Sequence, residues 1–267
     1  MAASRYNPPP DLAYRVAAFV AARIGHAERV CVGLSGGCDS LVLLHLLATL
    51  GLGERLQALH VHPGLSPHAE RWAEFCADRC RRLGVAFLLE RVSVDRDSGL
   101  GLEAAARAAR YAAFARWPGD VLLLGHHQGD QAETVLFNLL RGAGVTGAAA
   151  IPDARSYRQL RILRPLLAVS RQEIEAYARA HGLDWIDDES NGDTALTRNF
   201  LRHEVLPLLA GRFPGVEKNL ARAAANFAEA DALLGELARS DWQGAAEGDA
   251  LRLAQLRELS LPRLKNL

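Results

Sequence analysis

Six consecutive residues, Ser35-Gly36-Gly37-Cys38-Asp39-Ser40, place two bare glycines, two hydroxyls and a carboxylate side by side. Glycine backbone lets several N–H groups converge on phosphate oxygens, and a helix starting near Asp39 would add its positive N-terminal end. Ser35 and Ser40 would supply hydroxyl donors at the rim. Asp39 alone would repel a phosphate, so its expected partner is a Mg²⁺ ion shared with the phosphates. The competing reading is a glycine turn followed by serine and aspartate as helix caps. The strand-to-helix context favours phosphate. No Gly-Lys dipeptide occurs, which excludes a Walker A loop. The one G-x-G-x-x-G spelling, from Gly142 to Gly147, follows a helix and fails the dinucleotide pattern.

Other residues could join this chemistry. His126 and His127 follow an apolar run, with Asp130 and Glu133 one turn apart beyond them. They could hold a metal, or be first-turn acids beside a packed strand end. His60 and His62 share one face of a strand. His60 reads equally as a contact to adenine or ribose and as a satisfied surface histidine. Arg107 and Arg110 lie three apart on a helix, with Glu103 four before Arg107. Periodicity alone makes that a solvated charged face. Arg155, Arg158, Arg161 and Arg164, then Arg198, Arg202 and His203, are the best candidates for a polyanion track. Only Tyr157 and Phe200 lie near them, so base stacking is not expected.

The elements that must position these residues follow from hydrophobic pattern. Four short apolar runs, at 29–34, 56–61, 85–90 and 121–124, alternate with helical stripes at 40–50, 69–83, 102–117 and 131–141. That order predicts a doubly wound α/β fold with a parallel sheet covered on both faces. Residues 12–24 read as a helix after Pro8–Pro10 and an Asp11 N-cap. Beyond Pro152 come a possible strand at 160–163, a capped helix at 170–181, an acidic turn-rich loop at 187–193 and a helix at 197–209. Residues 216–239 form an alanine-rich helical segment. The expected division is a tail at 1–14, a nucleotide-binding domain at 15–210 and a helical domain at 211–267 that reads as cut short.

Composition bounds the partners. Lys plus Arg and Asp plus Glu both total 31, so net charge gives no support for nucleic-acid binding and leaves only local patches. Cys31, Cys38, Cys76 and Cys80 form no C-x-x-C, against a zinc ribbon or disulfide framework. Neither a signal peptide nor a membrane span is expected, which makes a soluble cytoplasmic protein the default.

Ser-Gly-Gly-x-Asp-Ser is the signature of the PP-loop ATP pyrophosphatases, which cleave ATP between the α- and β-phosphates. Within them the chain resembles the tRNA(Ile)-lysidine synthetases. The resemblance runs through His60-Val-His62-x-Gly64-Leu65, Glu103 to Tyr111 and Gly125-His126-His127-x-x-Asp130-Gln131-Ala-Glu133-Thr134. It continues through Leu140-Arg141-Gly142-x-Gly144, Arg164-Pro165-Leu166-Leu167 and Asp188-x-Ser190-Asn191 to Arg198-Asn199-x-x-Arg202-His203. It implies an adenine nucleotide α-hydrolase-like, Rossmann-like fold with a C-terminal helical segment. The implied activity adenylates the wobble cytidine of tRNA(Ile) at O2 and then ligates L-lysine through its ε-amine. ATP and Mg²⁺ are the implied cofactors, and a homodimer is left open. By resemblance Asp39 and Asp130 carry the metal and stand closest to the chemistry. Arg107 serves catalysis, Ser35 to Ser40 with His60 and His127 hold the nucleotide, and Arg110, Glu133, Arg198 and Arg202 contact substrate. Two positions depart from the family pattern: Gly129 stands where members often have an acid, and Pro63 where they usually have a second histidine. The alternatives are a nucleotide-binding module without turnover and a PP-loop tRNA thiolase, the latter generally needing paired cysteines.

Overall fold

The computed structural model describes residues 11–95, 99, 101–248 and 250–267. The expected tail lies outside them as far as Pro10. The chain divides into two compact units, residues 1–130 with 153–200, and residues 131–152 with 201–267.

The first unit is a six-stranded sheet. Its elements are α1 (Leu12–Arg23), β1 (Val30–Gly33), α2 (Cys38–Ala48), β2 (Leu56–His62), α3 (Ala69–Leu83), β3 (Ala86–Arg91), α4 (Leu102–Phe114) and β4 (Val121–Leu123). Helix α5 (Gln128–Leu140) starts here and continues into the second unit, which also contains α6 (Val145–Ala148). The sheet is completed by β5 (Ala154–Tyr157) and β6 (Leu160–Leu163), followed by α7 (Arg171–Ala180) and α8 (Thr197–Phe200).

Burial on both faces explains the unbroken apolar runs. Val30 and Val32 enter one buried cluster and Cys31 the other; Val121 and Leu123 enter the first, Leu122 and Leu124 the second. Alternate strand residues thus face opposite layers. The first layer centres on α2, whose Leu41, Val42, Leu43, Leu44, Leu46 and Leu47 are all buried, as expected of a helix apolar all round. The second layer rests on Tyr111, Phe114 and Trp117.

The strand order is β3-β2-β1-β4-β6-β5, parallel except for β5 against β6. From β1 the chain winds outward to β2 and β3, then returns to β4 on the other side. The order therefore reverses between β1 and β4, where open α/β sheets bind ligands beyond their carboxyl ends. The doubly wound expectation holds, with an antiparallel edge hairpin added. Arg158 turns that hairpin at φ 55°.

The second unit is helical. Residues expected as one helix at 197–209 divide instead: α8 passes through a π-turn at Leu201–Val205 into α9 (Leu206–Arg212). Pro207, lacking an N–H, is tolerated there in the first turn of α9. Helix α10 (Val216–Ala245) runs beyond the expected 239. A short hairpin of β7 (Ala246–Glu247) and β8 (Ala250–Leu251) follows, then α11 (Leu253–Glu258) and α12 (Leu261–Asn266). Arg263 pairs with the buried Asp241 of α10, and Asn266 donates to the Leu234 carbonyl at 2.8 Å. Thr146 of α6 donates to Asp231 at 2.6 Å.

Candidate functional site

The loop between β1 and α2 is built by its own hydroxyls. The Ser40 hydroxyl donates to the Gly37 carbonyl at 3.0 Å and accepts from the Ser35 N–H at 3.2 Å, while the Ser35 Oγ accepts from the Gly37 N–H at 3.2 Å. Gly36 sits at φ 90°, and a Cβ there would lie 2.9 Å from Ile186 Cδ1 and 3.2 Å from Cys76 Sγ. Only glycine fits both the conformation and the space. The Ile186 N–H closes the same contact on the Gly36 carbonyl at 2.9 Å. Helix α2 then begins with its N-terminus at the loop.

The end of β4 comes against this loop. A Cβ on Gly125 would lie 3.0–3.1 Å from the backbone of Asp39 and Ser40, so the two segments touch backbone to backbone. Helix α5 starts at Gln128, three residues before the expected 131, because Asp130 reaches back to accept from the His127 N–H at 2.9 Å. The His127 Nδ1 accepts from the Gly129 N–H at 3.0 Å, which puts the ring proton on Nε2. That Nε2 lies 3.9 Å from Asp39 Oδ1 and 3.7 Å from Asp130 Oδ2. The two carboxylates thus converge on one imidazole nitrogen. Burial raises the Asp39 carboxyl above its ordinary range, against the pull of His127 and Arg171 and with the push of Asp130.

Asp39 and Asp130 line a cleft of ≈ 720 Å³ with Ser35, Ser40, His60, Arg107, Arg110 and His126. Its apolar wall includes Leu65, Trp72, Phe114 and Leu124. The volume lies in the range of small-molecule sites. His60 is buried, not a surface residue, and its Nδ1 bonds the Leu34 carbonyl at 2.8 Å. Burial lowers its pKa and favours the neutral ring. Arg107 lies 5.1 Å over the Tyr111 ring and Arg155 lies 4.7 Å over it. Arg164, 2% exposed, also hydrogen-bonds Tyr111. His126, enclosed next to these cations, is pushed down to about 4, chiefly by burial and then by Arg164, Arg107 and Arg110, with Asp130 acting the other way.

Several expected residues are engaged by charged side chains of this chain. Arg198 lies 3.8 Å from Glu103, which lines the cleft. In the second unit Glu133, 3% exposed, meets Arg202 at 2.5 and 3.0 Å, so these two satisfy one another. The basic run is not a continuous track: Arg164 is buried and Arg161 is held by Glu28 at 2.6 and 2.7 Å. All four cysteines are buried, and burial raises Cys38 to about 11 and Cys76 and Cys80 to about 12.

Sequence reasoning missed Arg171, which donates through Nη1 to both Asp39 oxygens at 2.9 and 2.8 Å. Its only local signal is a place just after the Ser170 cap. Cys76 and Ile186, which back the loop at Gly36, carry no signal of their own.

A PP-loop domain model matches residues 9–209. The tRNA(Ile)-lysidine synthase of Aromatoleum aromaticum is 52% identical over 250 residues, covering 93% of this chain and 59% of that protein. That of Pseudomonas syringae pv. tomato is 54% identical over 215 residues, covering 79% of this chain and 48% of that protein. The chain thus spans about half to three-fifths of the length of these relatives. Among solved structures, the U34-tRNA thiolase NcsA of Methanococcus maripaludis superposes at a TM-score of 0.65 with 18% identity, covering 82% of this chain and 78% of that one, a likeness of fold. A glycine loop at the switch point of the sheet and a family model covering three-quarters of its residues say the same thing: this chain belongs to the PP-loop family.

Proposed function

We propose that the protein is a tRNA(Ile)-lysidine synthetase, a carbon–nitrogen ligase that joins L-lysine to the wobble cytidine of tRNA(Ile) at the expense of ATP. The observation that carries this reading is the shared cleft: the phosphate loop, Asp39, Asp130, Arg107 and Arg110 all line one cavity. Identity of about half to lysidine synthases supports the choice within the family. Among the described residues no helix is long and apolar enough to cross a membrane, and we place the reaction in the cytoplasm.

In this reading the loop N–H groups and the α2 N-terminus hold the β- and γ-phosphates. The cytidine O2 attacks the α-phosphorus, and pyrophosphate leaves. Arg107 opposes the charge that grows on the α-phosphate. The lysine ε-amine then attacks C2 of the activated base and displaces AMP. The donor set fits Mg²⁺: the Asp39 and Asp130 carboxylates converge beside the loop, at 3.9 and 3.7 Å from the His127 Nε2. Mg²⁺ typically takes one or two carboxylates and fills its shell with phosphate oxygens and water. Bound there, it would neutralise phosphate charge. Residues up to about 210 would carry adenylation and residues 211–267 would belong to a helical domain. His60 and His127 are assigned to the nucleotide side and Arg110 and Arg198 to the tRNA side.

The thiolase alternative loses support because the four thiols are buried and raised, which disfavours the thiolate such chemistry needs. The deciding experiment is ATP–pyrophosphate exchange with tRNA(Ile), with and without lysine. Exchange that depends on tRNA, with AMP released on adding lysine, is the expected result. ATP binding without exchange at saturating tRNA would replace the ligase reading by a nucleotide-binding module.

A further inference from the structure

We propose that Arg171 is a positioning residue that stands in for the metal at Asp39, so that the site takes up a divalent cation together with ATP rather than alone. The inference rests on the Mg²⁺–ATP reading of this cleft.

The geometry is specific. A single guanidinium nitrogen, Nη1, donates to both Asp39 oxygens at 2.9 and 2.8 Å. It therefore straddles the carboxylate where a cation would be drawn. The guanidinium is fixed from behind, its Nε donating to Glu175 at 2.9 Å, while Glu175 also accepts from Arg179 at 2.7 Å. The start of α7 is in turn set by the capping box of Ser170 and Glu173. Arg171 thus leaves the capped first turn of α7 with its guanidinium held between Asp39 and Glu175. Asp39 lines the cleft and Arg171 does not, so the guanidinium approaches from the α7 side and leaves the cleft side open to ligand.

Charge explains the need. Asp39 is partly buried and close to Asp130, and His127 is the other group facing both. Two carboxylates sharing a half-buried place are costly without a cation. Arg171 supplies one permanently, which lowers the attraction for a second cation. ATP brings enough negative charge to accommodate both the guanidinium and the metal. Removing Arg171 should then act with opposite signs: a divalent cation alone binds tighter, and metal-free ATP binds weaker.

The test uses Mn²⁺, a paramagnetic ion suited to the same carboxylate–phosphate donors, titrated into the full chain without nucleotide and followed by electron paramagnetic resonance. An Arg beside an Asp changes its proton affinity about ten- to a thousandfold. Arg171→Gln should therefore tighten Mn²⁺ at least about tenfold and weaken ATP in EDTA by a comparable factor. Arg171→Lys should stay near the parent on both counts. Arg171→Met, which removes the charge and the hydrogen bonds while keeping a long side chain, should shift Mn²⁺ in the same direction, and it decides the matter if Arg171→Gln does not fold. Unchanged or weaker Mn²⁺ binding in folded Arg171→Gln would overturn the proposal. Absence of Mn²⁺ binding even with ATP would overturn it together with the Mg²⁺–ATP reading. Opposite-signed shifts in a protein inactive on tRNA would support it while removing the ligase reading.

Discussion

The two ends of the cleft handle charge in opposite ways. At the glycine loop the groups that would meet an anion are backbone N–H groups and a helix end. The acids Asp39 and Asp130 stand beside them, held by Arg171 and His127. At the Tyr111 end the groups are cationic side chains, with Arg107 and Arg155 over the ring and Arg164 bonded to it. The first end therefore already holds the Arg171 guanidinium on Asp39, while the second turns Arg107 and Arg110 to the cleft. A triphosphate laid along such a cleft would have its leaving group where backbone and metal act and its reacting phosphorus toward the arginines. The two ends also differ in material: close backbone approach at Gly36 and Gly125 leaves no room for a Cβ, whereas the other end is made of long side chains gathered on one ring.

The contrast is broken most severely at the acids. Asp39→Asn keeps the shape and removes the charge, and it also strips Arg171 of its partner. Its tRNA-dependent AMP release should fall about 10²–10³-fold, the usual effect of losing a group that stabilises charge in the transition state. Asp130→Ala should fall comparably, with the added loss of the N–H cap at the start of α5. Turnover within a few-fold of the parent in either variant would remove both from the catalytic assignment. Next in size is Gly36→Ala. A left-handed φ costs about 1–2 kcal/mol for a residue with a Cβ, and overpacking against Ile186 and Cys76 adds about 1–3 kcal/mol. Stability in urea unfolding should drop correspondingly, by about 2–5 kcal/mol, and a near-parent midpoint would contradict the tight fit argued for Gly36.

These two ends also differ in how far they could be read from sequence. The loop is local: its glycines, serines and acid lie within six residues, and each has one physical use there. The strands of the central sheet were equally legible, because burial on both faces leaves no polar alternation to confuse. The edge strand β5 was not, since Ala-Arg-Ser-Tyr is half solvated and carries little apolar signal. Partners far apart in the chain left no trace at all. Arg171 and Asp39 are separated by 132 residues, and Arg202 and Glu133 by 69. Periodicity made Arg107 and Arg110 a solvated face, the resemblance turned them toward the site, and the fold puts both on the cleft wall with His126.

The arginine end should be softer when tested. Arg107→Ala removes one cation of several, and Tyr111 keeps Arg155 and Arg164 in place. The expected loss is about 10–10²-fold in kcat with a smaller change in the KM for ATP, since charge on the α-phosphate grows mainly during reaction. An effect confined to KM would instead make Arg107 a simple binding residue and erase the functional difference drawn between the two ends.

His126 reports on both ends at once, and its effect is the smallest. Its folded-state pKa of about 4 lies below the ordinary value near 6.5, with Asp130 pulling it up and Arg164, Arg107 and Arg110 pushing it down. Between those two values the unfolded chain binds a proton that the folded chain refuses. Stability from this residue is therefore complete above pH 6.5 and is lost progressively as pH falls toward 4. From pH 7 to pH 5 the loss should be about 1–2 kcal/mol in urea unfolding. His126→Asn should lack this increment, a comparison of slopes that tolerates any uniform destabilisation by the substitution. If the slopes coincide, His126 is not held neutral by its surroundings. Arg107→Ala should give an intermediate slope, because removing one neighbouring cation lets the imidazole protonate nearer its ordinary range while burial and Arg164 still oppose it.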